Sequence, residues 1–454
     1  MMDSLLNAMY AFAAAHVLLH AALLTPTSVL SHTKLAVSFV PLIWSCHFYA
    51  WNFGFGYISA IHALWSAELL LCRNPRKDFG LLHFETKPPA PSPLPAAATL
   101  DAMKDGNRRE MNVASVNSKD GNKDKSKVIT HVSHTTGWTE PYPQSLWKRF
   151  VWVSKLVLSL RYNGWVTSDS QKALFTSQLP PPRRSRLIFI IQKLCVFGCC
   201  FVVLDAVHYY QHFDPYMQIE TSIDEAFPRR LGGFFARHYL GFLSPRCVRI
   251  MVFGLEQYCN FTLLGTTPAV VFVALGGIGL VDDFWGSVEN WPLIMGNPFG
   301  IARKGLRGFW GDFWHQLFRN LLTGPGKTLS RSLNLPSGST ISYVIQVVTA
   351  FGLSGMISSA GLPRDSKTIN PIRCSSFLWI HGACVLCEIV LLRTAAMLGY
   401  SGSNSLWASA SLKFVNLIWT GLVLYHTVPL VQDEMTRVSR MYKLKPVHFI
   451  SFPK

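Results

Sequence analysis

LIFIIQKLCVFGCCFVVLDAVHYY, residues 187–210, is interrupted by only two formal charges, Lys193 and Asp205. Wound as an α-helix it is about 36 Å long, more than the roughly 30 Å of a bilayer's hydrocarbon core. Comparable apolar stretches occur near residues 5–24, 35–51, 54–72, 248–280, 340–361, 376–398 and 411–431. Across the 454 residues, 49% are hydrophobic, 13% are aromatic and only 15% carry charge. Soluble domains carry about 25% charged residues, so composition and length agree on the class. The expectation is an all-α, polytopic membrane protein with about eight transmembrane helices and additional interfacial or re-entrant helices.

The formal charge of +17 does not point to nucleic acid. Lys and Arg gather beside the spans, at Arg73, Arg76 and Lys77, at Lys148, Arg149 and Lys155, and at Arg303, Lys304 and Arg307, where anionic headgroups or a negatively charged co-substrate are the natural partners. The basic stretch 73–186 is the candidate cytosolic side, which would put the N-terminus across the membrane. The first apolar segment lacks a basic leader and a small-residue cleavage site and carries His16 and His20, so it reads as a retained helix.

From Glu85 to Trp147 the composition shifts to Pro, Ser, Asn, Asp and Lys, the signature of a polar disordered linker. It divides the chain into N-terminal transmembrane helices (1–84), the linker (85–146) and a larger membrane domain (147–454). Residues 147–162 mix Trp, Val and Leu with basic residues, a pattern for an interfacial helix. Pro180, Pro181 and Pro182 stop the chain before the next span. Residues 281–339 are too polar to span and too aromatic for a solvent loop, which suits a re-entrant element buried against other helices.

Inside that element lies Arg307-Gly308-Phe309-Trp310-Gly311-Asp312-Phe313-Trp314-His315-Gln316-Leu317-Phe318-Arg319. Wound as one helix, it places Gly308, Asp312, His315, Gln316 and Arg319 on a stripe about 100° wide, with aromatic rings over the remainder. Such a helix either lies in the headgroup layer or carries a reaction centre. In the later spans, His381 and Glu388 share a helix face at i, i+7, and ionisable groups at that depth face a cavity or a partner. Asp205, His208 and His212 have spacing that a metal could use, but they equally suit a helix end at the interface, and no metal site is expected. Cys384 and Cys387 lack a second pair, which argues against zinc. Glu256 and Asn260 could line a tunnel or pack polar groups between helices.

The run Phe309-Trp310-Gly311-x-x-Trp314-His315-Gln316, with Trp291-Pro292-Leu293 upstream, resembles the wax-synthase-like branch of the membrane-bound O-acyltransferases. Leu160-Arg161-Tyr162-Asn163-Gly164-Trp165 resembles that branch's Leu-Arg-Gly-x-Gly-Trp element, and Phe351-Gly352-Leu353-Ser354-Gly355 its Phe-x-x-Ser-Gly helix. The resemblance covers roughly residues 147–431.

The resemblance implies transfer of an acyl group from acyl-CoA, a co-substrate rather than a bound cofactor, to a lipophilic alcohol inside a membrane-buried tunnel. It further implies acetyl-CoA as donor, terpenoids or other secondary metabolites as acceptors, and the endoplasmic reticulum as compartment. His315 would act as base or as oxyanion donor, Trp310 and Trp314 would wall the tunnel, and Asp312, Gln316, Arg319, Ser358 and Glu388 would contact substrate. One position departs from the pattern: relatives continue as Ser-Gly-x-x-His, whereas this chain has Ser358 where that histidine stands. A serine hydroxyl is a poor base near neutral pH. His381, where relatives carry glutamine, is the candidate substitute base if it enters the same cavity. Two other readings keep the tunnel without acyl transfer: a membrane terpene cyclase or isomerase using Asp312 or Glu388 as a neutral acid, and a non-catalytic lipid-binding protein.

Overall fold

The computed structural model describes residues 2–26, 28–86, 135–167, 185–219, 221–238, 240–314, 316–363, 367–398 and 406–442. Most of the polar linker, the prolines at 180–182 and His315 lie outside the described residues. Seven helical stretches among those described are long and apolar enough to cross a membrane: Leu5–Leu24, His32–Cys72, Arg186–Phe213, Pro245–Gly277, Thr340–Ala360, Pro371–Met397 and Ala410–Met441. The second is two helices. Phe53 and Gly54 leave helical geometry, Gly54 at φ 95°, and the chain folds back so that the Trp44 indole donates to the Ala63 carbonyl at 3.0 Å. A left-handed backbone at that reversal suits glycine. The sequence suggests about eight spans; the described residues carry seven such stretches, the second of them reversing at Gly54.

We label the main elements α1 (Met2–Leu24), α2 (His32–Ala50), α3 (Gly56–Ala67), β1 (Phe79–Thr86), β2 (Thr135–Glu140), α4 (Leu146–Val157), β3 (Trp165–Thr167), α5 (Arg186–Phe213), α6 (Pro245–Gly277), α7 (Arg319–Ser332), α8 (Thr340–Ala360), α9 (Pro371–Met397) and α10 (Leu406–Met441). Their starts are written in the sequence. Ser244 Oγ accepts from the Cys247 amide at 3.2 Å ahead of Pro245, and Asn370 Oδ1 accepts from the Ile372 amide at 3.1 Å ahead of Pro371. Each pairs a side-chain N-cap with a proline in the first turn, where a missing N–H costs nothing.

A small antiparallel sheet, ordered β2-β1-β3, was not foreseen. Phe79, Leu81 and Trp165 join Trp65, Trp152 and Leu156 in a buried core that ties α1–α3 to α4 and the strands. Arg149 reinforces the joint by donating to the carbonyls of Leu24 (2.9 Å), Pro143 (3.1 Å) and Gln144 (2.7 Å). α4 begins one residue before the interfacial helix expected at 147–162, and Lys155 pairs with Asp282 at the start of the 282–319 segment.

Within that segment, residues 307–319 do not form the one amphipathic helix expected. Leu306–Gly308 makes a single turn, Phe309–Phe313 widens into a π-turn, Trp314 is extended and helix resumes only at Gln316. The cause lies in the preceding strand of chain. The amides of Gly296 and Asn297 donate to the carbonyls of Phe313 (2.7 Å) and Asp312 (3.0 Å), and the Gln316 amide donates to Ile294 (2.7 Å), so the bonds a helix would use are taken. A Cβ on Gly296 would stand 1.9 Å from the Asp312 carbonyl oxygen, which explains glycine there.

Candidate active site

Two neighbouring hollows flank the irregular segment. One, of about 290 Å³, is walled by Trp310, Trp314, Tyr343, Phe351 and Ser354, and Arg307 and Lys327 also line it. The other, of about 510 Å³, is polar: Arg161, Arg303, Lys304 and Arg319 face it with Asn163, against the single carboxylate of Asp312. Gly311, Gln316 and Arg319 line both. Trp314 and Gln316, the chain neighbours of His315, thus both border the aromatic hollow, and Gln316 borders the basic one too.

Several polar side chains here have definite partners. Asp312 pairs with Lys304 at 2.8 Å. The Gln316 amide group donates to the Trp314 carbonyl at 2.9 Å, while its oxygen accepts from Arg319 at 3.2 Å. Arg161 donates to the Leu293 carbonyl at 2.8 Å, linking the Leu-Arg-x-x-Gly-Trp element to Trp291-Pro292-Leu293. Burial first, and the nearby charge of Arg319 second, lower the Arg161 guanidinium below its ordinary pKa. Like charges held this close mark a cleft that gains from an anion.

Behind the aromatic wall runs α9. His381 is fully buried, its ring 4.4 Å from that of Phe377, and it is not among the residues lining the hollow. Its Nδ1 accepts from the Trp310 indole N–H at 2.9 Å. Nε2 must therefore carry the ring proton, which it donates to Thr427 Oγ1 at 2.6 Å, and the Thr427 hydroxyl donates onward to the Val423 carbonyl at 2.7 Å. Both imidazole nitrogens are spoken for, and Trp310 stands between His381 and the cavity.

Glu388, two helical turns away, does not bond to His381. Its carboxylate accepts from the amides of Leu306 (2.7 Å) and Arg307 (3.0 Å) and from the Trp419 indole (2.8 Å), so it caps the turn that opens the motif. Ser358 is half-buried on α8, one turn beyond Gly355, where the helices are in contact: Ser375 Oγ donates to the Gly355 carbonyl at 3.0 Å. Ser354 lines the aromatic hollow and Ser358 does not.

Other candidates fall away from this place. The Glu256 carboxylate accepts from Gln211 at 2.8 Å across α5 and α6. Cys384 and Cys387 are free thiols. Among the described residues no group of three His, Cys, Asp or Glu is placed to hold a metal ion. Thr427, Asn416 and Trp419 of α10 were not singled out by sequence. Their only signal was polarity within an apolar span, and Asn416 proves to donate to the Ala302 carbonyl at 2.9 Å.

Comparison with known proteins shows what this chain is similar to. Residues 291–363, which hold Trp310, Trp314, Gln316 and Ser354, match the model of the Membrane bound O-acyl transferase family. The chain is 27% identical over 306 residues to the acetyltransferase eriL of Hericium erinaceus, covering 64% of this chain and 68% of that protein. It is 26% identical over 220 residues to an acetyltransferase of Rhodocybe pseudopiperita (48% and 50% of the two chains). An acetyltransferase of Arthrobotrys oligospora is 36% identical over 249 residues (53% and 47%). The chain thus spans about two thirds of the first relative's length and about half of the other two. No solved structure matches it.

Proposed function

We propose that this chain, a multi-pass enzyme of the membrane-bound O-acyltransferase family, moves an acetyl group from acetyl-CoA to a hydroxyl of a lipophilic acceptor, of terpenoid or similar secondary-metabolite type, in the endoplasmic reticulum. The observation that carries this reading is the junction of two unlike hollows at Gly311, Gln316 and Arg319, beside His315. Four cations suit the phosphates of CoA, and aromatic walls suit an apolar alcohol. The names of the relatives supply the acetyl group.

The chemistry follows from the donor. The acceptor oxygen attacks the thioester carbonyl carbon, the carbonyl oxygen gathers negative charge, and the tetrahedral intermediate collapses with loss of the CoA thiolate. The hydroxyl proton must leave and the thiolate gains one. In this reading His315 mediates that transfer or donates to the oxyanion, and Arg319 and Gln316 hold the donor at the junction. Asp312 pairs with Lys304, and both oxygens of Glu388 accept N–H bonds from the backbone. The two residues considered for the cyclase alternative are thus engaged by other protein groups.

The test is direct. Microsomes carrying wild-type protein or His315→Ala are given radiolabelled acetyl-CoA and a panel of lipophilic alcohols. Label in an ester product that vanishes in the variant supports the reading. Conversion of a prenylated substrate to an isomer of equal mass, with no label transferred from any acyl-CoA, would overturn it.

A further inference from the structure

His381 and Glu388 of α9 were first candidates for chemistry, yet their bonds all run to other protein groups. Glu388 holds the backbone N–H groups of Leu306 and Arg307, and His381 holds the indole of Trp310. Seven residues along α9 separate them, about 10.5 Å, and between these points lies the stretch 306–310 that leads into Trp314 and His315. We propose that His381 and Glu388 are positioning residues: α9 grips the Trp-His segment at two points, and the neutral His381 sets the Trp310 wall of the acceptor cavity rather than acting as the base. The proposal rests on the acyl-transfer reading for its effect on rate, not for its geometry.

The geometry is over-determined at His381. The π-turn at Phe309–Phe313 closes on the Trp314 amide donating to the Phe309 carbonyl at 2.7 Å, and the chain then turns extended at Trp314. An indole fixed from behind adds a side-chain hold to that single wide turn. The relay Trp310 to His381 to Thr427 to Val423 has one direction, each group donating to the next, and it ends on a helix carbonyl. A protonated imidazole would need Nδ1 to donate, and that nitrogen faces an N–H. Protonation would thus break the bond to Trp310, which opposes any role that cycles His381 through the imidazolium.

The same arrangement says what can replace the histidine. Glutamine offers one acceptor and one donor on a side chain of similar reach, so His381→Gln can accept from Trp310 and donate to Thr427. Leucine can do neither.

The experiment joins two readouts. Trp-labelled protein in detergent is examined by ¹⁵N–¹H spectroscopy, with the Trp310 indole signal identified by its loss in Trp310→Phe, and kcat and KM are measured for the same variants. The expected result is an indole signal displaced in His381→Leu and retained in His381→Gln. Activity should follow it: kcat falls about a hundredfold in His381→Leu with KM for acetyl-CoA unchanged, and stays within about threefold of wild type in His381→Gln. Thr427→Val, a milder cut to the same relay, should move the signal in the same direction, and it stands in where His381→Leu does not fold. Glu388→Gln, which loses one of the two backbone bonds, should lower kcat without changing KM.

His381→Gln that keeps the indole signal but is as inactive as His381→Leu would overturn the proposal, because it would mean that the imidazole itself moves a proton. An indole signal unmoved in His381→Leu and Thr427→Val would overturn it as well. Wild-type protein that transfers no acetyl group would instead count against the acyl-transfer reading, and the indole signals would still decide the grip.

Discussion

The Arg249 guanidinium and the Asp214 carboxylate face each other fully shielded from solvent, Nη2 to Oδ1 at 2.7 Å and Nε to Oδ2 at 2.9 Å. The remaining arm of Arg249 donates to the carbonyls of Ile223 and Glu225, both at 2.8 Å, so the end of α5, the 214–225 turn and the start of α6 meet on one side chain. Removing one partner leaves the other charge buried alone, which costs on the order of 3–5 kcal/mol. Arg249→Ala and Asp214→Asn should each sharply lower the thermal midpoint in detergent. Because the pair lies outside both hollows, protein that does fold should keep its KM for acetyl-CoA.

Arg303 should report on the donor. It is exposed, faces the basic cleft and sits beside Lys304, whose charge is engaged by Asp312. An exposed cation meeting phosphate contributes roughly 1 kcal/mol, screened by salt. Arg303→Gln should therefore raise KM for acetyl-CoA about fivefold at low ionic strength, with less effect in high salt and little change in kcat. A KM that does not respond to this variant or to salt would remove the cleft as the CoA site.

Parts of this molecule were plain in the sequence. The run 187–210 needed only its length and composition, and the break between 35–51 and 54–72 coincides with the reversal at Phe53 and Gly54. The sheet was hidden because β2 and the end of β1 fall inside 85–146, whose polar composition reads as a disordered linker. The polar stripe of 307–319 suggested a continuous helix, since periodicity cannot register that the amides of residues 296 and 297 will take the carbonyls of 313 and 312. For His381, sequence located an ionisable group in an apolar span. What its nitrogens meet depends on Trp310 and Thr427, 71 and 46 positions away.

Tyr162 should govern part of the alkaline limit of stability. It lies in the turn before β3 at φ 56°, with its hydroxyl donating to Glu68 Oε1 at 3.2 Å. Burial, and next the charge of Glu68, push the phenol well above its usual value. Below about pH 10 the phenol is protonated in both folded and unfolded chains and adds no pH dependence. Above that, the unfolded chain ionises first, so stability is lost as pH rises toward the folded value. The thermal midpoint should fall from about pH 10 upward, and Tyr162→Phe should make that fall shallower. Parallel slopes for the two proteins would show that Tyr162 does not contribute.

Ala350 tests which hollow takes which substrate. It lines the aromatic hollow with Phe351 and Ser354 and does not touch the basic one. At about 290 Å³ that hollow is at the lower end of the range for small-molecule sites, roughly 300–1,000 Å³, so there is little room to lose. Ala350→Phe places a ring into it from the α8 side, opposite Trp310 and Trp314. If the acceptor alcohol sits there, the variant should raise the acceptor's KM at least about tenfold, or abolish transfer, since overpacking costs about 1–3 kcal/mol. KM for acetyl-CoA should stay near wild type, as should any slow hydrolysis of acetyl-CoA measured without acceptor, because the proposed route of the thioester is the cleft of Arg161, Arg303 and Arg319. The reverse pattern, a raised KM for acetyl-CoA with the acceptor's unchanged, would exchange the two assignments and place the donor's pantetheine arm, rather than the alcohol, between the tryptophans.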